Sequence, residues 1–193
     1  MITKTDAAER QLNTAIRLFF ENRDHLSSYA LAVASREITD GVIKSRSSEL
    51  YQRELARVGD PLKVRLSYWK VLERLIGKDK FDKNFIDLHN KWKRFLRHAN
   101  QDPDAEIEPF TTKLPALVIL TAIGNYTLLT QHWTIEMLTF FVWIAVAEPQ
   151  LAKSAPEDVV TNKAIAEMRS YISGDPYDRD TLKNIYTAMR LQL

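Results

Sequence analysis

Near the middle of the chain, side chains able to hold anions or carry protons recur at helical spacing. Asn84, Asp87, Lys91, Arg94 and His98 stand three or four residues apart and share one flank of a helical wheel. Arg94 and His98, one turn apart, have the reach to hold a phosphate together, with Asp87 and Lys91 pairing beneath them as acid and base. A solvated flank is the simpler account of the same row, because an acid-to-base pair at this spacing decorates exposed helices and stabilises them only slightly. The cations Lys91, Lys93, Arg94, Arg97 and His98 also surround Trp92 and Phe95, a mixture that binds nucleic acid where rings stack on bases. If Trp92 and Phe95 belong to a core seam, the cations are left to complement the negative end of the helix dipole. Asp87, Lys91 and Arg97 are the candidate binding residues on this element.

The loop that follows alternates oxygen donors at Asn100, Asp102, Asp104, Glu106 and Glu108. Asp102 and Asp104 are the candidates for a hard cation such as Ca²⁺ or Mg²⁺. The pattern is not an EF-hand: the turn glycine is missing, Pro103 interrupts it and the spacing to a bidentate Glu is wrong. An acidic loop balancing the basic helix end accounts for the same residues. His25, His89 and His132 lack metal-helix spacing and are expected at the surface or half-buried. No GxSxG, P-loop or GxGxxG motif occurs, and no cysteine is present, which excludes thiolate nucleophiles, disulfides and Cys-zinc sites. No cofactor is implied.

These residues must be positioned by helices. Leu12, Ala15, Ile16, Phe19 and Phe20 give a first amphipathic, surface-lying helix over residues 5–22, and Asp24 caps a second through Leu26, Tyr29, Ala30, Val33 and Ile38. The short link and the small residues of the second predict a tight antiparallel pair. Residues 41–59 read as a further short helix bearing Leu50, Leu55 and Val58. Asp60-Pro61 opens another, with Leu62, Leu66, Trp69, Leu72 and Ile76 on its face and Gly77 at its end. Asp79 caps the next, whose Phe81, Phe85, Leu88, Trp92 and Phe95 form the cleanest seam in the chain. After the acidic loop, Thr112 caps a very apolar helix over 114–130, and a second apolar helix spans 135–147; helices apolar nearly all round belong in the interior. Tyr126, Trp133, Met137, Phe140, Phe141 and Trp143 are expected to pack that core, a pocket lining being the alternative. Ser154 to Glu157 forms a capping box for a helix ended by Gly174, and Asp178 or Asp180 opens the last. The fold class expected is all-α: a single-domain helical bundle of about seven or eight helices with a central apolar helix pair. Residues 5–148 form the main bundle, and 154–193 a C-terminal helical pair packed on it.

With 193 residues, 45% of them hydrophobic, the chain is long enough for one sizeable core. Its 27 basic and 25 acidic residues leave a net charge of +2, so no global field draws it to nucleic acid or anionic lipid. The charged N-terminus lacks the apolar stretch of a signal peptide, and the absence of cysteine fits a cytoplasmic protein. The uncharged run 114–135 is interrupted by Gly124, Asn125, Gln131 and His132, so no membrane span is expected.

Read as a unit, Trp92 to Ala105, a basic-aromatic-His-Ala helix end followed by an Asp-Pro-Asp loop, resembles the signature of an uncharacterised bacterial all-helical family. The likeness extends over residues 5–148, including the AERQLNTAIRLFF opening, and implies a fold without an activity. A second resemblance is to HEPN-like domains, helical bundles that are often dimeric and often ribonucleases, in which an Arg is followed by four to six intervening residues and then a His. Here Arg94 stands one residue too close to His98, and Lys93 occupies the minimal spacing. That resemblance implies His98 handling protons at a ribose 2′-hydroxyl and Arg94 stabilising the phosphorane. Two functions are therefore expected: a non-enzymatic interaction module acting by association, as a homodimer, or a HEPN-like ribonuclease or inactive relative using Arg94 and His98, with RNA as partner.

Overall fold

The computed structural model describes residues 1–21, 24–58, 83–97, 106, 113–149, 162–172 and 174–191. They form eight helices and no strand: α1 Lys4–Glu21, α2 His25–Ser45, α3 Ser47–Val58, α4 Lys83–Arg97, α5 Lys113–Thr130, α6 Ile135–Ala147, α7 Asn162–Ser170 and α8 Arg179–Arg190. The all-α bundle expected from periodicity is the fold observed. The helix expected from Asp60-Pro61 to Gly77, the caps at Asp79, Thr112 and Ser154, and the side chains of Phe81, Phe85 and Leu88 lie outside the described residues.

Thr3 starts α1 through a reciprocal cap: its hydroxyl accepts from the Asp6 N–H at 3.1 Å, and the Asp6 carboxylate accepts from the Thr3 N–H at 2.9 Å. Ala8, Leu12, Ala15, Ile16, Phe19 and Phe20 are all buried along one face, while Lys4, Asp6, Arg10, Thr14 and Arg17 are exposed. The helix is amphipathic, as expected, but it is not peripheral, because it packs against α2, α5, α6 and α8. Asp24 caps α2 by accepting from Ser27 N–H at 2.9 Å. The α1–α2 pair is drawn together by small residues. Ser28 Oγ donates to the Ala15 carbonyl at 2.8 Å, and Ser35 Oγ to the Ala8 carbonyl at 2.9 Å. Both pairs are seven residues apart in opposite directions, which is the register of an antiparallel packing. Helix α2 runs on through Gly41 to Ser45, into the stretch 41–59 expected as a separate short helix, since a lone glycine in a helix costs only about 1 kcal/mol.

The two apolar helices are the most continuously buried. On α5, Leu114 to Ala116 and Val118 to Ile123 are all buried, as are Asn125 and Tyr126. On α6, Met137, Phe140 and Val142 to Ala145 are buried. By length and composition α5 could cross a membrane, but 67% of it is buried in this bundle, against α1 and α2. Gln131, at φ 56°, turns the chain out of α5 in the left-handed conformation that usually falls to glycine. Phe19, Phe20, Phe140 and Trp143 form the aromatic centre, with ring centroids 5.0–5.9 Å apart. Trp133 and Phe141, half-buried beside it, meet edge to face at 5.3 Å. Helix α7 packs on α6, and α8 packs on α1 and α6. Asp178 caps α8, accepting from the N–H groups of Asp180 and Thr181 at 3.0 and 3.3 Å.

Candidate functional site

The flank of α4 singled out by its spacing faces solvent. Asp87, Lys91 and Arg94 are exposed, with Asn90 beside them, and among the described residues none of the three charged groups makes an ion pair. The expected pairing of Asp87 with Lys91 is absent, as befits long exposed side chains for which an ion pair offers little. His98, Asp102 and Asp104 lie outside the described residues, as does the side chain of Arg97, so Arg94 is the member of the proposed Arg–His pair that can be placed. Among the described residues no three His, Asp or Glu side chains converge as a metal site.

The opposite face of α4 carries the polar chemistry. His89 was expected at the surface or half-buried and is instead buried, at 8% exposure, alongside Trp92. Two residues of α2 hold it: Tyr29 Oη lies 2.8 Å from His89 Nδ1 and donates to the His89 carbonyl at 3.1 Å, and Arg36 Nη2 lies 3.0 Å from Nε2. A guanidinium has only donors, so Nε2 must accept. The imidazole is therefore the Nδ1–H tautomer, donating to the Tyr29 oxygen, while the Tyr29 hydroxyl proton goes to the His89 carbonyl. Burial, reinforced by the charges of Arg36 and Lys93, pulls the His89 pKa down from 6.5 to about 4. It is neutral at pH 7.

Polar contacts extend outward from this pair. Asp40 Oδ2 lies 3.9 Å from Arg36 Nε, and Asp40 Oδ1 accepts from Asn125 Nδ2 on α5 at 2.6 Å. Lys93 Nζ pairs with Glu37 Oε1 at 2.8 Å. Helix α4 is thus fastened to α2 by His89 and Lys93, neither of which belongs to the row Asn84, Asp87, Lys91, Arg94 and His98. The signal available in sequence was position: His89 follows Phe85 by four residues and precedes Trp92 by three, which puts it on the apolar face.

Family models, curated proteins and solved structures offer no significant match to this chain. The site is therefore read from its own chemistry.

Other buried polar groups serve the bundle. Glu136, in the first turn of α6, is 2% exposed and is held by Arg17, whose Nε donates to Oε1 at 2.9 Å. Its charge also suits the positive end of α6. The adjacent cap, Thr134, donates to Asn13 Oδ1 at 2.8 Å and accepts from Met137 N–H at 3.3 Å. Tyr126 donates to Glu9; burial, with that carboxylate, pushes its phenol up to about 12. Arg53 of α3 reaches the carbonyls of Leu128 and Leu129, satisfying the last turn of α5. A cleft of about 140 Å³ opens between α6, α7 and α8, floored by Leu138, Val142, Met168 and Ile185, with Glu167 and Tyr171 also in its lining. That is smaller than the few hundred Å³ usual for organic ligands.

Proposed function

We propose that the chain acts by association, as a helical-bundle interaction module whose partner is a second copy of itself, and that the outward face of α4 is the contact surface. The observation supporting this reading is the division of polar groups across α4. His89 and Lys93 turn inward and are committed to Tyr29, Arg36 and Glu37, whereas Asp87, Asn90, Lys91 and Arg94 present both charge signs and an amide on a helix anchored from behind. Asp87 and Arg94 stand seven residues apart on this face. Packing α4 antiparallel to its copy about a two-fold axis near residues 90 and 91 sets each Asp87 against the Arg94 of the other chain. Exposed pairs of this kind are worth about 0.2–1 kcal/mol each, so they select register more than they set affinity. The same axis brings the two Lys91 side chains close, a like-charge contact that opposes the pairing.

Sedimentation velocity over a concentration series tests this. Expected are a concentration-dependent dimer, its weakening in Arg94→Asp, its recovery in the swapped double variant Asp87→Arg, Arg94→Asp, and its strengthening in Lys91→Ala. A strictly monomeric protein at every concentration sinks the reading, and a dimer indifferent to all three variants removes α4 from it. The second reading, a HEPN-like ribonuclease, is supported by the exposure of Arg94 at the helix end, open to a phosphate. Metal-free cleavage of RNA, lost in both His98→Ala and Arg94→Ala, is its required outcome.

A further inference from the structure

The contact between Arg36 and His89 joins a permanent cation to a titratable ring, and the surroundings of Arg36 already contain a second acceptor. Arg36 Nε–H is buried without a hydrogen-bond acceptor, while Asp40 Oδ2, one helical turn along α2, lies 3.9 Å from it. The other oxygen of Asp40 is taken by Asn125, which leaves Oδ2 to face the guanidinium. Glu37, the neighbouring carboxylate, is engaged by Lys93. We propose that Arg36 is a two-position side chain whose partner is set by the charge on His89: His89 when the imidazole is neutral, Asp40 when it is protonated, so that acid loosens α4 from α2.

The argument is geometric. Nε2 serves as an acceptor only while it carries no proton. Once protonated, it would point an N–H at the Arg36 N–H across 3.0 Å, donor against donor and cation against cation. Every charged group around the ring among the described residues bears on the outcome. Arg36 from α2 and Lys93 from α4 both oppose a charged imidazole. Glu37 is neutralised by Lys93, and Asp40, half-exposed at the solvent end of the cluster, receives the displaced guanidinium. A closing movement of about 1 Å brings Arg36 Nε within hydrogen-bond range of Asp40 Oδ2. The acceptor that Nε–H lacks in one position is present in the other, which gives the side chain two discrete arrangements rather than a continuum. In the acid arrangement α4 keeps Trp92 in the core but loses the Arg36 tie.

Nuclear magnetic resonance on the full chain tests each part. At neutral pH the His89 ring is expected as the Nδ1–H tautomer. As pH falls, the Arg36 Nε–H is expected to gain protection from exchange with water on reaching Asp40. The opening equilibrium of α4 amides, corrected for intrinsic exchange, is expected to rise by about a hundredfold between pH 7 and pH 4, ahead of the amides of α1. His89→Gln, which stays neutral while presenting both an acceptor and a donor, is expected to abolish the rise. An Nε2–H tautomer at neutral pH overturns the proposal without recourse to any variant. So does an α4 that opens only together with α1, or an acid opening unchanged in His89→Gln.

Discussion

His89 illustrates how one residue's chemistry is rewritten by its neighbours. In the unfolded chain its imidazole titrates near the ordinary value of 6.5, and in the fold it is held down to about 4. Above pH 6.5 both states carry a neutral ring, and its contribution to stability is fully present. As pH falls below 6.5 the unfolded chain takes up a proton that the folded chain refuses, so stability is lost until about pH 4 and then levels off. The shift corresponds to a loss of up to about 3 kcal/mol. Urea denaturation at intervals from pH 7.5 to 3.5 is expected to show this decline on top of the carboxylate contributions, and the difference between wild type and His89→Gln is expected to change only within that window. A constant difference across the whole range would mean that the ring is not buried neutral. The apolar-face position of His89 was legible in the sequence. Its partners were not: Tyr29 and Arg36 are 60 and 53 residues away, a separation on which helical periodicity is silent.

Among the elements, the α1–α2 hairpin shows how small side chains set a distance. Ala8, Ala15, Ser28, Ala32 and Ser35 are all buried, and the two serine hydroxyls bond to carbonyls of the facing helix, so the backbones must lie close. Ser28→Ala removes one buried hydrogen bond while keeping the volume, and is expected to cost about 1 kcal/mol. Ser28→Leu forces a large side chain into the same contact and is expected to cost about 1–3 kcal/mol more. Chemical denaturation of the two variants distinguishes them; a leucine no worse than alanine would mean that the helices are not in close contact there. Composition and the short link predicted the tight pair. Residues 41–59 were expected as a helix of their own, whereas α2 is carried through Gly41 to Ser45. On α4, spacing correctly drew Asp87, Lys91 and Arg94 onto one flank but could not say whether that flank faces a partner helix, a groove or water.

For the whole molecule, stability depends on the aromatic centre where α1 meets α6. Trp143 is fully buried against Phe19, Phe20, Phe140 and Tyr177, and its indole N–H donates to the Pro176 carbonyl in the loop ahead of α8 at 3.1 Å. Trp143→Ala is expected to cost about 3–5 kcal/mol and to loosen α8, read as early amide exchange in residues 179–190; a loss below 1 kcal/mol would place the centre of the core elsewhere. The sequence by itself determined the all-α class, most helix limits and the identity of the core aromatics, because helical periodicity, capping residues and apolar content act over a few residues and leave their pattern in the order of the chain. Tertiary structure alone decided that α1 lies at the hub, that Arg53 closes a helix some 75 residues away, and that the protected polar cluster is built on His89 while the row at Asp87, Lys91 and Arg94 faces water. Those outcomes depend on which helices become neighbours, and neighbours distant in sequence are chosen by the packing of whole faces rather than by any local pattern.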